Sequence, residues 1–156
     1  MKLQDFDDLA QEVLTRGLNL RIKVSGESMH PFIRNDDILI IEPRSAANVN
    51  IGDIVLNRQP SGTYIVHRLI KRNGAATLVT KGDSQSNYDI PFAAEQVIGR
   101  VVRIEGRRKR MKLTGGPGRV LGWTMAQLDR GRGRTTKRIR RNLGRLWWLI
   151  GSRRIT

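Results

Sequence analysis

The chain contains no cysteine, which excludes disulfides, thiolate zinc sites and a cysteine nucleophile, and leaves its redox compartment undetermined. It has only two histidines, His30 and His67, so an all-histidine zinc site is excluded as well, and no metal or organic cofactor is expected. Long apolar runs are missing too. The longest candidate, Leu146-Trp147-Trp148-Leu149-Ile150, is far short of the ~20 residues that a spanning helix needs. The first residues, Met1 to Asp8, are acidic where a secretory signal would be basic, and no apolar segment follows them, so nothing there marks the chain for export. The expected location is the cytoplasm or the periphery of the cytoplasmic membrane. Acidic residues are scarce at one end only. Residues 1–102 hold 12 Lys/Arg and 12 Asp/Glu, whereas residues 103–156 hold 17 Lys/Arg against Glu105 and Asp129, so the last third carries the whole net charge of +15. Such a segment seeks a polyanion.

At 156 residues the chain suits one modest domain with an appendage. Leu3, Phe6, Leu9/Ala10 and Val13/Leu14 recur at helical spacing, with Asp5, Asp7 and Asp8 at the positive end and Gly17 as a C-cap, which predicts a helix over residues 2–16. From Asn19 onward the pattern is β-rich: Leu20–Val24, Ile38–Glu42, Ile54–Arg58, Thr63–Lys71, Thr77–Lys81 and Val97–Glu105, with a last strand within Arg107–Leu113. Pro60-Ser61-Gly62 and Arg72-Asn73-Gly74 read as hairpin turns. The fold class is therefore mainly β (α+β), an antiparallel sheet over residues 1–113. Thr114-Gly115-Gly116-Pro117-Gly118 reads as a linker into a basic tail over 114–156. Ile139, Leu143, Leu146, Trp147 and Ile150 share one helical face there, with Arg138, Arg140, Arg141 and Arg145 mostly off it, and a Gly/Arg-rich stretch at 129–134 interrupts the helical pattern.

Two segments carry chemistry. Ser25-Gly26-Glu27-Ser28-Met29-His30-Pro31 supplies a serine, and Val66-His67-Arg68 supplies a base for it. A serine hydroxyl is a poor nucleophile at neutral pH and needs a base to take its proton and a third group to orient that base. His67 suits the base, and Asp83 or Asp89 the third group. His30 is a poorer base, because an i+2 residue reaches the serine only under tight local geometry. Arg68, Lys71 and Arg72 read most simply as solvated strand and turn charges.

The string Gly26-Glu27-Ser28-Met29-His30-Pro31 resembles the signal peptidase I superfamily, which also holds the LexA-type self-cleaving repressors. Later elements keep the family order: Asn35-Asp36-Asp37-Ile38-Leu39-Ile40, Ile51-Gly52-Asp53-Ile54-Val55, Tyr64 to Ile70 around His67, and Thr80-Lys81-Gly82-Asp83 with Asp89 beyond it. The likeness runs from about Val24 to Val102. Most bacterial members place a lysine where this chain has His67, and a lysine, at ~10.4, must be kept deprotonated by burial. A histidine at ~6.5 needs no such shift. The chain is thus similar to the histidine-bearing branch of endoplasmic-reticulum, archaeal and spore-former signal peptidases. The resemblance implies a serine endopeptidase with Ser28 as nucleophile, His67 as general base and Asp89 as its orienting group, Asp83 being the other choice or a loop cap. It implies an oxyanion donor in the Ser28 backbone N–H and a weaker one in Ser25. Met29 and Phe32 read as packing or pocket-lining.

The implied partner is an extended peptide or protein substrate, as in leader-peptide processing, added to a strand edge with small residues near the cut. For the basic tail, an anionic membrane surface contacted through residues 119–154 is the favoured partner, on the strength of Trp147-Trp148 and the surrounding arginines. Nucleic acid explains the charge equally well, but no reader motif accompanies it. A membrane partner protein would supply a missing span. Two rival classes are a regulatory self-cleaving or DNA-linked LexA-like protein and an inactive peptide-binding module. Against the first, the chain has no Ala-Gly dipeptide and no separate N-terminal DNA-binding domain.

Overall fold

The computed structural model describes residues 8–10, 12–13, 15–106 and 109–130. The element order is an N-terminal helix α1, whose described residues fall between 8 and 15, then β1 (Leu20–Lys23), β2 (Ile38–Pro43), β3 (Ile54–Arg58), β4 (Tyr64–Asn73), β5 (Thr77–Lys81), β6 (Phe92–Ala93), β7 (Val97–Gly106), β8 (Lys109–Lys112) and helix α2 (Gly116–Arg130). Gly17, at a φ of 70°, ends α1 in the left-handed conformation that a helix C-terminus favours, and the Leu18 N–H returns to the Val13 carbonyl. Ala10 on α1 is buried against the sheet.

The strands form one antiparallel sheet in the order β1-β2-β7-β3-β4-β5-β6, with β8 on β7. The hairpin turns fall where Gly and Pro cluster, Gly62 between β3 and β4 and Gly74 between β4 and β5, each at positive φ. Strand β3 is central and buried on both faces. Ile54 and Leu56 join Leu39, Ile41, Val101, Ile104 and Met29 in one core, while Val55 joins Leu69, Leu78, Phe92 and Val97 in the other. Fully burying such side chains stabilises by ~1.5–3 kcal/mol each. This packing makes β3 and its neighbour β4 the rigid frame on which the site is mounted. No helix among the described residues is long and apolar enough to cross a membrane.

Two sequence readings are corrected. Gly116, Pro117 and Gly118, read as linker, are the first turn of α2, where proline is well tolerated and the helix N-terminus needs no intrahelical donor. A Cβ at Gly118 would lie 2.7 Å from the Leu113 carbonyl oxygen, and one at Gly122 2.7 Å from that of Gly52, so these glycines are contact residues. Gly122, Met125 and Ala126 face inward at helical spacing, and α2 packs across β4. Arg68, read as a solvated charge, is 3% exposed beneath that helix. Arg72 is half-buried and donates to the Ala46 and Val49 carbonyls. The amphipathic helical pattern expected at 139–150, with Trp147-Trp148, lies outside the described residues, as do residues 2–7 of the N-terminal helix.

Candidate active site

Ser28 sits in a turn between β1 and β2 that the backbone closes tightly. The Val24 N–H donates to Asp37 O (2.8 Å), the Asp36 N–H to Val24 O (3.0 Å) and the Gly26 N–H to Asn35 Oδ1 (3.0 Å). Within it, His30, Phe32 and Ile33 donate their N–H groups back to Glu27 and Met29 carbonyls in consecutive turns, which places Ser28 at their start and buries Met29 and Ile33 in the core. Gly26, at a φ of 111°, takes a conformation that side chains disfavour. A second anchor comes from Ser84, whose N–H and Oγ both donate to the Ser28 carbonyl at 2.9 Å, while its Oγ also reaches Glu27 O.

Strand β4 presents His67 to this turn. It is 5% exposed, and its Nε2 lies 2.9 Å from Ser28 Oγ. Its Nδ1 lies 2.7 Å from Asp89 Oδ2, which also accepts from Thr80 Oγ1 at 2.7 Å. The Asp89 backbone N–H returns to Thr80 O (3.0 Å), so β5 holds Asp89 through both its carboxylate and its backbone. Burial raises the Asp89 pKa, but hydrogen bonds from His67 and Thr80, with the positive potential of His67 and Lys81, outweigh it and leave the carboxyl below its ordinary value. An ionised Asp89 only accepts, so the Nδ1–H of His67 donates to it, and in the neutral tautomer that this favours the Nε2 lone pair faces the serine hydroxyl.

Of the two candidate aspartates, then, Asp89 meets His67 and Asp83 does not. Asp83 is buried against Arg68, whose Nε and Nη2 donate to its two oxygens at 2.8 and 2.7 Å, while Nη1 donates to Gly52 O at 2.8 Å. The fork geometry of guanidinium and carboxylate commits Asp83 fully, and five residues of loop carry Asp89 onward to the imidazole. His30 is exposed on the turn. Three residues outside the sequence-level candidates complete the arrangement: Thr80 holds Asp89, Ser84 holds Ser28, and Arg68 holds Asp83. Their signal was position, since Thr80 and Ser84 flank the Lys81-Gly82-Asp83 segment and Arg68 follows His67 directly.

A groove of about 240 Å³ leads to Ser28. Ile22, Lys23, Val24 and Ser25 form one wall, Tyr64, Ile65, Val66 and His67 the other, and Met29, Ile33, Leu39 and Leu56 the floor. Met29 is both core and floor; Ser25 is exposed on the rim beside Ser28. The walls are strand edges. β1 ends the sheet, and β5 pairs β4 only from Arg68 onward, so residues 65–67 have no strand neighbour on that side among the described residues.

The profile of the Peptidase S24-like family matches residues 3–102. The chain is 30% identical over 92 residues to the signal peptidase complex catalytic subunit of Lachancea thermotolerans, a match covering 55% of this chain and 54% of that protein. The chain thus spans about half the length of this curated relative.

Proposed function

Because the chain belongs to the Peptidase S24-like family, in the signal peptidase I/LexA-like superfamily, we propose that it is a serine endopeptidase that uses Ser28 as nucleophile and His67 as general base. One observation carries this reading: the unbroken series Ser28 Oγ, His67 Nε2, His67 Nδ1, Asp89 Oδ2 at 2.9 and 2.7 Å, at the end of a groove bounded by strand edges. In it, Ser28 Oγ attacks the scissile carbonyl while His67 Nε2 takes its proton. Asp89 steadies the imidazolium, and the Ser28 backbone N–H, with Ser25 as a second donor, stabilises the tetrahedral oxyanion. Collapse breaks the C–N bond as His67 returns the proton to the leaving amine. Water, deprotonated by the same imidazole, then attacks the acyl-enzyme and frees the acid and Ser28.

The substrate in this reading is an extended peptide whose backbone pairs with β1 and the unpaired part of β4, as a leader or signal peptide would. A groove of about 240 Å³, floored by Met29 and Leu56, favours small side chains next to the cut. Residues 1–113 are the peptidase domain, on which the first part of the basic tail, α2, is packed. The nine Lys/Arg of residues 131–156, with no acidic residue among them, are assigned to an anionic membrane surface, where a membrane partner protein would present the substrate. The test is cleavage of a panel of extended peptides with Ala, Val or Phe flanking one bond. Cleavage after small residues, lost in Ser28→Ala and His67→Ala, is expected; cleavage that survives either substitution overturns the assignment.

A further inference from the structure

Buried beside the site is a charged cluster that the proposed chemistry does not use. Arg68 is 3% and Asp83 6% exposed, and the guanidinium reaches two different parts of the molecule. Toward α2, its Nη1 donates to Gly52 O (2.8 Å), and Gly52 lies directly under Gly122 of that helix. The two backbones meet so closely that a Cβ on Gly52 would come within 2.4 Å of the Gly122 carbonyl carbon. The Gly52 turn is itself tied to β4 by its N–H to Leu69 O (2.8 Å). Toward the nucleophile, Nε and Nη2 grip Asp83, whose neighbours hold the Ser28 turn on both sides. A Cβ on Gly82 would lie 2.7 Å from Ser28 O, and Ser84 donates to that same oxygen twice. The guanidinium also lies 5.5 Å from the centroid of Phe32, in the turn after Ser28.

We propose that α2 is a positioning element of the active site, acting on the Ser28 turn through Gly52, Arg68 and Asp83. This rests on the serine-peptidase reading of Ser28 and His67. The helix keeps water from Gly52 O and from the Arg68–Asp83 pair, and in that dry setting the fork is strong and fixed. Lifting α2 lets water compete for the guanidinium, loosens the 82–84 segment and frees Ser28 Oγ to drift from Nε2. His67 stays put, held by β4 and Asp89. Misplacing a reacting atom by about 1 Å lowers turnover by about 10²-fold. The groove walls at Ile22, Val24 and Val66 are untouched, so substrate affinity is unaffected.

The experiment uses the full chain with Gly122→Ala, Gly122→Leu and Arg68→Lys, and Val120→Ser on the exposed face of α2 as control. Turnover of a cleavable peptide is measured together with hydrogen exchange of segments 25–33 and 82–86. Gly122→Leu is expected to lower kcat about 10–100-fold with KM within about twofold, and to speed exchange in both segments but not in β2 or β7. Gly122→Ala, which also folds if the larger residue does not, gives a smaller change in the same direction, Arg68→Lys reproduces it, and Val120→Ser changes neither quantity. Unchanged kcat and unchanged exchange at 25–33 and 82–86 in the Gly122 variants would overturn the proposal, as would faster exchange spread evenly over the sheet. If the wild type cleaves nothing, the serine-peptidase reading fails, while the exchange measurement still decides whether α2 reaches the Ser28 turn.

Discussion

Replacing each aspartate by asparagine separates two roles that lie six residues apart in the chain. Asp89→Asn removes the acceptor of the His67 Nδ1–H, now at 2.7 Å, and of the Thr80 hydroxyl. An amide there can donate to Nδ1, which favours the tautomer with its proton on Nε2 and points a donor at Ser28. In serine–histidine–aspartate enzymes that change lowers kcat by about 10⁴, and a loss of about 10³–10⁴ in kcat/KM is expected here. The fold loses little, about 1–2 kcal/mol for the hydrogen bonds that weaken. Asp83→Asn does the reverse. The side chains of Arg68 and Asp83 are 4% and 0% exposed, so the guanidinium is left buried opposite a neutral amide, at a cost of about 3–5 kcal/mol. For a chain of this size about 2–4 °C accompanies each kcal/mol, which places the midpoint roughly 6–20 °C lower. Activity, measured well below that midpoint, falls by at most about 10²-fold through loosening of the Ser28 turn. Peptide turnover and thermal unfolding of the two variants decide the matter. Full activity in folded Asp89→Asn, or a loss in folded Asp83→Asn as deep as that in Asp89→Asn, would refute the assignment.

Gly82→Ala puts a methyl 2.7 Å from Ser28 O, so kcat should fall at least about tenfold with the sheet intact, and unchanged kcat would show that the turn yields freely. Acid sensitivity follows from Asp89 and Glu42, where burial raises both pKa values but His67 and Thr80, and Arg44 and Arg100 respectively, bring them below the ordinary range. Depressed carboxylates contribute stability that is full above their unfolded values, ~3.9 and ~4.3, and is lost as pH falls through the lower folded values, because the unfolded chain binds more protons there. The thermal midpoint of wild type should drop on acidification from about pH 5 to pH 3, and more steeply than that of Asp89→Asn; parallel curves would contradict the linkage. A chain ending at Arg130 should lose most of its salt-sensitive sedimentation with anionic vesicles, and equal pelleting of both forms would remove the membrane role from residues 131–156.

The sheet was legible because its strands alternate between turns that only Gly, Pro and Asn make easily, and the bounds of β3 and β5 agree with the runs Ile54–Arg58 and Thr77–Lys81. Ser28 and His67 stood out by residue type and order, although 39 positions separate them. The resemblance favoured Asp89 over Asp83, but the physical reason lies in the fold, where the Asp89 N–H returns to Thr80 O and Arg68 claims Asp83. Arg68 itself was misread for a physical reason. A charged residue on a strand is usually solvated, and the helix that covers this one begins with Gly-Pro-Gly and carries Gly122 at its contact, a composition of low helix propensity. Gly118 and Gly122 serve close backbone approach, and a glycine-rich start of this kind reads as a linker.

Activation of the Ser28 nucleophile by His67 is what the proposed chemistry requires. Its most direct test is the rate at which a serine-reactive phosphonate modifies the full-length protein, with the modified residue located by peptide mass mapping. A single adduct on Ser28 is expected, absent in Ser28→Ala and slowed at least about 10²-fold in His67→Ala. Modification of Ser25 or Ser84 in place of Ser28, or an equal rate with and without His67, would contradict it.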